Sequence, residues 1–135
     1  MTELVESEAI SDEGVRDGLI CALGTMGDAS RIPRLLEILE TNKEGDYRAL
    51  AAEALGYVGA VEAREALNRA LTDGFAKQAG NSMRGRYIAY PVREGAEAGL
   101  RMLNSEQAMA RAQQRREAFV KAVPPAQPEA TPPAQ

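Results

Sequence analysis

The stretch best equipped for chemistry by residue type lies between Asp73 and Pro91. It reads Gly74-Phe75-Ala76-Lys77-Gln78-Ala79-Gly80-Asn81-Ser82-Met83-Arg84-Gly85-Arg86-Tyr87-Ile88-Ala89-Tyr90. Lys77, Arg84 and Arg86 are cationic, no acid accompanies them, and glycines alternate with Phe75, Tyr87 and Tyr90. A guanidinium fork binds carboxylates and phosphates through paired hydrogen bonds. Arginine and tyrosine are also the side chains enriched at the energetic centres of interfaces. Lys77, Arg84, Arg86, Tyr87 and Tyr90 are therefore the candidate contacts for a protein partner with an acidic surface. The competing reading is a loose connector whose Tyr87 and Ile88 only pack on the body of the chain.

A second basic set is Arg93, Arg111 and Arg115, extended by Arg101, Arg116 and Lys121. With the insertion it would make a positive patch for nucleic acid. The pI near 5.0 argues against that use, and a solvated helix face is the plainer reading.

Other chemistries are narrowed by what the chain lacks. It contains no histidine, which removes imidazole bases, Ser-His and Cys-His pairs, and histidine metal ligands. Its one cysteine, Cys21, excludes an internal disulfide and a thiolate cluster. Cys21 stands where the second copy of the repeat has Glu53, a position open to partial exposure. An exposed thiol there would suit chromophore attachment or oxidant sensing; the reading favoured is a small apolar filler. Glu37 with Glu40 and Glu62 with Glu65 share helix faces, but no carboxylate pair stands apart. No cofactor, metal or catalytic residue is expected, and the protein is read as a non-enzyme.

The elements that must position these residues come from a repeat. Arg16-Asp17-Gly18-Leu19-Ile20-Cys21-Ala22-Leu23-Gly24-Thr25-Met26-Gly27 is echoed 32 positions on by Arg48-Ala49-Leu50-Ala51-Ala52-Glu53-Ala54-Leu55-Gly56-Tyr57-Val58-Gly59. A fixed period of this size marks stacked units that cannot bury their apolar faces alone. In the first copy, Val15, Leu19, Ala22, Leu23 and Met26 recur at helical spacing and predict one buried face, ended by Gly27. A second helix over about 31–40 tolerates Pro33 in its first turn and buries Ile32, Leu35, Leu36, Ile38 and Leu39. The second copy predicts helices over about 47–58 and 62–72. Its core is smaller: Ala51, Ala54, Leu55, Val58, Ala63, Ala66, Leu67 and Leu71. Gly24 and Gly56 fall inside their helices, where glycine costs about 1 kcal/mol against alanine. Paying that at equivalent positions predicts close approach by a neighbouring helix. A looser third copy starts at Pro91, with Arg93, Ala96 and Leu100 in place of Arg48, Ala51 and Leu55. The offset of 45 puts an excess of 13 residues between Asp73 and Pro91. A final helix begins at Asn104 or Ser105.

The strings Val15-Arg16, Ala22-Leu23-Gly24 and Gly27-Asp28, and more closely Arg48 to Ala63, resemble the HEAT-like repeat of the phycobilisome-lyase type. The resemblance covers 14–73 well and 91–122 loosely. It implies antiparallel helix pairs stacked into an α-solenoid. Members so implied are chromophore lyases and related chaperones, adaptor subunits of larger complexes, and enzymes such as deoxyhypusine hydroxylase. The last needs His-Glu pairs for iron, which this chain cannot supply.

The organisation expected is therefore an acidic N-terminal segment over 1–11, an all-α HEAT-like repeat domain over 12–122 with its insertion at 74–90, and a proline-rich disordered tail over 123–135. Residues 1–73 hold 15 acids and 7 bases, whereas 74–135 hold 5 acids and 9 bases; either the two ends face different partners or solvated helix faces simply differ in composition. Neither a signal peptide nor a membrane-spanning run is evident, and a cytoplasmic protein is expected. The function expected is a protein-interaction module, adaptor or accessory subunit. The alternatives are an assembly chaperone or bilin-lyase component with a pigment-protein partner and, more weakly, nucleic-acid binding.

Overall fold

A computed structural model describes residues 13–122. The acidic segment over 1–11 and the proline-rich tail over 123–135 lie outside the described residues.

Helix α1 spans Glu13–Thr25, α2 Ile32–Thr41, α3 Gly45–Tyr57 and α4 Arg64–Ala70. Single 3-10 turns at Ala29–Arg31 and Val61–Ala63 lead into α2 and α4. Both expected helix pairs are thus present, and their junctions repeat as well. Gly27 and Gly59 have φ of +112° and +73°, conformations open to glycine at little cost. Just past each glycine, the Asp28 and Ala60 amides donate to Leu23 and Leu55 carbonyls at 3.0 Å, closing the same six-to-one helix cap twice.

Helix α5 spans Pro91–Leu103 and α6 spans Glu106–Ala122. The first helices of the three copies, α1, α3 and α5, lie side by side with α3 in the middle. Helix α2 packs on α3, and α4 packs on α5. Leu35, Ile38, Leu55, Val58, Leu67 and Val92 are the largest fully buried apolar side chains. Alanine and glycine fill the rest, which brings the helices close. A Cβ at Gly24 would lie 2.6 Å from Leu35 Cδ1 and 3.5 Å from Ala54 Cβ; one at Gly56 would lie 2.7 Å from Gly99 Cα. The glycines are there because neighbouring helices leave no room for a methyl group.

Two expectations are corrected. First, the all-α reading gives way to a two-stranded hairpin, β1 (Lys77–Asn81) and β2 (Gly85–Ala89), inside the insertion. Second, α1 does not bury Val15, Leu19, Ala22 and Met26. It turns Asp17, Ile20, Cys21 and Gly24 inward, while Val15, Leu19 and Met26 are 48%, 42% and 59% exposed. The helix is apolar on two sides, and periodicity alone cannot say which side meets α2 and α3. Cys21, on that inward side, is buried, as the apolar-filler reading expects. At the last helix the choice between caps is resolved: Ser105 Oγ accepts the Ala108 amide at 3.1 Å.

Among the described residues no helix is long and apolar enough to cross a membrane.

Candidate interaction surface

The insertion is shaped by its own backbone. Strands β1 and β2 pair antiparallel, from Lys77 opposite Ala89 to Asn81 opposite Gly85, leaving a three-residue loop. Asn81 Oδ1 closes that loop by accepting the Met83 and Arg84 amides at 2.9 and 2.7 Å. Gly80 and Gly85 take positive φ where the chain turns.

The base of the hairpin is fastened to the helices. Ala89 is buried and Phe75 packs against the core, its ring filling the space where Gly45 lacks a side chain. Asp73 Oδ1 accepts the Phe75 amide at 2.9 Å. On the other flank, the Arg93 guanidinium lies 4.0 Å from the centre of the Tyr90 ring. Beyond this base the arm is exposed: Met83 at the tip is 92% exposed, and Arg84, Arg86, Tyr87 and Ile88 are open to solvent.

The candidate residues do not all share one face. Side chains alternate along a strand. The register therefore puts Lys77, Ala79 and Tyr87 on one side and Gln78, Arg86 and Ile88 on the other. Arg84 is in the loop, and Tyr90 is at the base beside Arg93. Lys77 Nζ is 3.0 Å from Asp46 Oδ1, both exposed. The arm thus offers cations and apolar groups on both sides and at its tip.

The second basic set is dispersed. Arg115 donates to the Tyr57 carbonyl at 3.2 and 2.8 Å from Nε and Nη2. Arg116 donates to the Val58 and Gly59 carbonyls, each at 2.7 Å. Both arginines therefore serve the carbonyl end of α3, where the helix dipole favours a cation. Arg93 sits at the opposite end of the helix layer and donates to the Asp73 carbonyl at 2.7 Å. Arg111 is exposed.

Arg93 belongs to a device that sequence reading left unnoticed. Arg48, its counterpart in the second copy, donates to the Asn42 carbonyl at 2.7 Å. Each arginine reaches back from a first helix to a carbonyl just past the preceding second helix. The signal was present, since Arg16, Arg48 and Arg93 align at the repeat offsets. Arg48 also grips Asp73 through two bonds of 3.0 Å. The Arg48 hydrogen bond, chiefly, holds the Asp73 carboxyl below its usual range; the Phe75 amide and the nearby Arg93 charge act in the same direction. A carboxylate with a depressed folded-state pKa contributes stability above its unfolded pKa and loses it as pH falls through the folded one. Asp73→Asn should therefore cost about 1–2 kcal/mol near neutral pH and almost nothing in strong acid. Urea unfolding of both proteins across that range measures it; an equal gap at every pH would show that the carboxylate charge is irrelevant.

A polar pocket of about 600 Å³ opens between the first two copies, lined by Asp17, Arg34, Glu37, Asn42, Lys43 and Tyr47. Asp17 is 1% exposed and accepts from Arg34 Nη2 and Asn42 Nδ2, each at 2.7 Å. Arg34 also bonds Glu37 at 2.8 Å. These bonds tie α1 to α2 and to the turn before α3. Among the described residues no group of acidic, cysteine or histidine side chains is placed to hold a metal ion.

The architecture is that of a helix-pair repeat protein carrying an inserted arm. The family model of the PBS lyase HEAT-like repeat matches residues 15–41 and 47–73, so the chain carries two tandem repeats of that type. No curated protein and no solved structure matches the chain.

Proposed function

We propose that this chain is a non-enzymatic interaction module, a short HEAT-like α-solenoid acting as an adaptor or accessory subunit in the cytoplasm. The observation that carries the reading is the hairpin, an acid-free arm with Arg84, Arg86, Tyr87 and Ile88 exposed on a base fastened to the helices. Such an arm suits a partner with an acidic surface. Guanidinium groups pair with its carboxylates, and the tyrosine supplies apolar contact with little rotamer entropy to lose. The repeats supply the stiff mount.

Replacing both Arg84 and Arg86 with glutamate should weaken partner binding at least about tenfold and leave the melting temperature unchanged, since both side chains are exposed. The partner is first isolated by tagged pull-down from nuclease-treated extract, then titrated with both proteins. Equal affinity for the double variant removes the arm from the interface. The repeat type also supports an assembly chaperone or bilin-lyase component, for which bilin absorbance would co-purify. Buried Cys21 is poorly placed to carry a chromophore in that role.

A further inference from the structure

Helix α1 carries an apolar stripe with no described cover. Val15, Leu19, Ala22 and Met26 follow one another at steps of four, three and four residues, and all four are exposed. The repeat shows what these positions do. They correspond to Tyr47, Ala51, Ala54 and Val58 in α3, and to Val92, Ala96, Gly99 and Leu103 in α5. There Tyr47 is half-buried and the other seven are buried. The cover comes from the preceding first helix: Ala54 faces Gly24 of α1, and Gly99 lies against Gly56 and the Ala52 carbonyl of α3. The same positions form a helix-docking face in every copy, open only in the first.

We propose that a second copy of this chain covers the stripe, with α1 packed antiparallel on the partner's α1 about a two-fold axis. The spacing is symmetric about its midpoint. An axis between Ile20 and Cys21 sets Val15 against the partner's Met26 and Leu19 against the partner's Ala22. Each contact then recurs with the roles exchanged, as an isologous interface requires, and Leu19 meets the small Ala22. Steps of four and three are also those of a helix–helix seam.

Head-to-tail stacking of copies is opposed by the other end of the layer. The positions that α1 turns inward, Asp17, Ile20, Cys21 and Gly24, correspond in α5 to Glu94, Glu97, Ala98 and Arg101. Glu94, Glu97 and Arg101 are exposed, so a stripe docking there would cover charges. Self-association therefore closes at the dimer. One helix pair is smaller than the roughly 1,600 Å² of a standard interface, so the dimer is weak and concentration-dependent. This pairing leaves the hairpin reading untouched and stands or falls separately from it.

Sedimentation velocity over a concentration series should show mass rising from monomer toward dimer. Leu19→Glu and Met26→Glu, both at exposed sites, should keep the helical melt and remain monomeric. Orientation is read by oxidation of cysteine variants. Val15→Cys mixed with Met26→Cys should cross-link many times faster than Val15→Cys alone, because two Val15 positions would sit about 16 Å apart along the antiparallel helices. A wild-type monomer at every concentration overturns the proposal and leaves the stripe to residues 1–12 or to a foreign helix. A dimer that survives Leu19→Glu, or equal cross-linking in both samples, overturns it too.

Discussion

Gly99→Val is expected to destabilise the chain by about 3 kcal/mol or more, placing it among the most damaging single substitutions. A Cβ at this position would lie 2.8 Å from the Ala52 carbonyl oxygen and 3.3 and 3.4 Å from the two Leu67 methyls. The obstacle is the backbone of α3, which cannot rotate aside as a side chain would. Helices α3 and α5 must separate, and the burial of Val92, Ala96 and Leu103 is loosened with them. Gly18→Ala provides the contrast. Its Cβ would meet only the edge of the Tyr47 ring at 3.3 Å. There the better helix propensity should dominate and stabilise by about 0.5–1 kcal/mol. Urea titration of the two variants reads the difference directly. Similar losses in both would mean that close helix approach is not what selects glycine at position 99.

The second large effect concerns Cys21. Burial, aided by the negative charge of Asp17, pushes its thiol up to about 12 from an ordinary 9.0. Only the thiolate attacks disulfide reagents, so at mildly alkaline pH the native protein should react roughly a thousandfold more slowly than the unfolded chain. Labelling with DTNB with and without denaturant measures the ratio. Comparable rates would place the thiol in solvent. The sign of the pH effect follows: the preference for the neutral thiol stabilises the fold below the unfolded thiol pKa, and that contribution is lost as pH rises toward 12.

The parts of the fold legible in sequence were those that recur. The helix pairs, the terminating Gly27 and Gly59, and the tight contacts at Gly24 and Gly56 follow from two copies agreeing with each other. Orientation was not legible. Helix α1 has apolar residues on two sides, and the choice between them depends on where α2 and α3 lie, which no local pattern encodes. That one ambiguity misplaced Val15, Leu19 and Met26. The hairpin had a readable signal in Gly80, Asn81 and Gly85 framing a loop before the β-formers Tyr87 and Ile88. It was hidden because every neighbouring element is helical and the strands are short. For the candidate surface, sequence supplied residue types but not their sides, since Arg86 and Tyr87 are adjacent in the chain and face opposite ways on the strand.

Helix α6 does not continue the layer. It crosses the turns that join the two helices of each repeat, with Arg115 backbone against Gly27 and Ala112 against Gly59. Repeat arrays commonly hold themselves together by nearest-neighbour contacts, so their units can melt or form one after another. Here a segment from the far end of the chain touches the first turn, and the loop that must close spans most of the sequence. Closure of that size slows folding and couples the units into a single transition. During synthesis the first helix pair must wait, incompletely covered, until α6 has emerged.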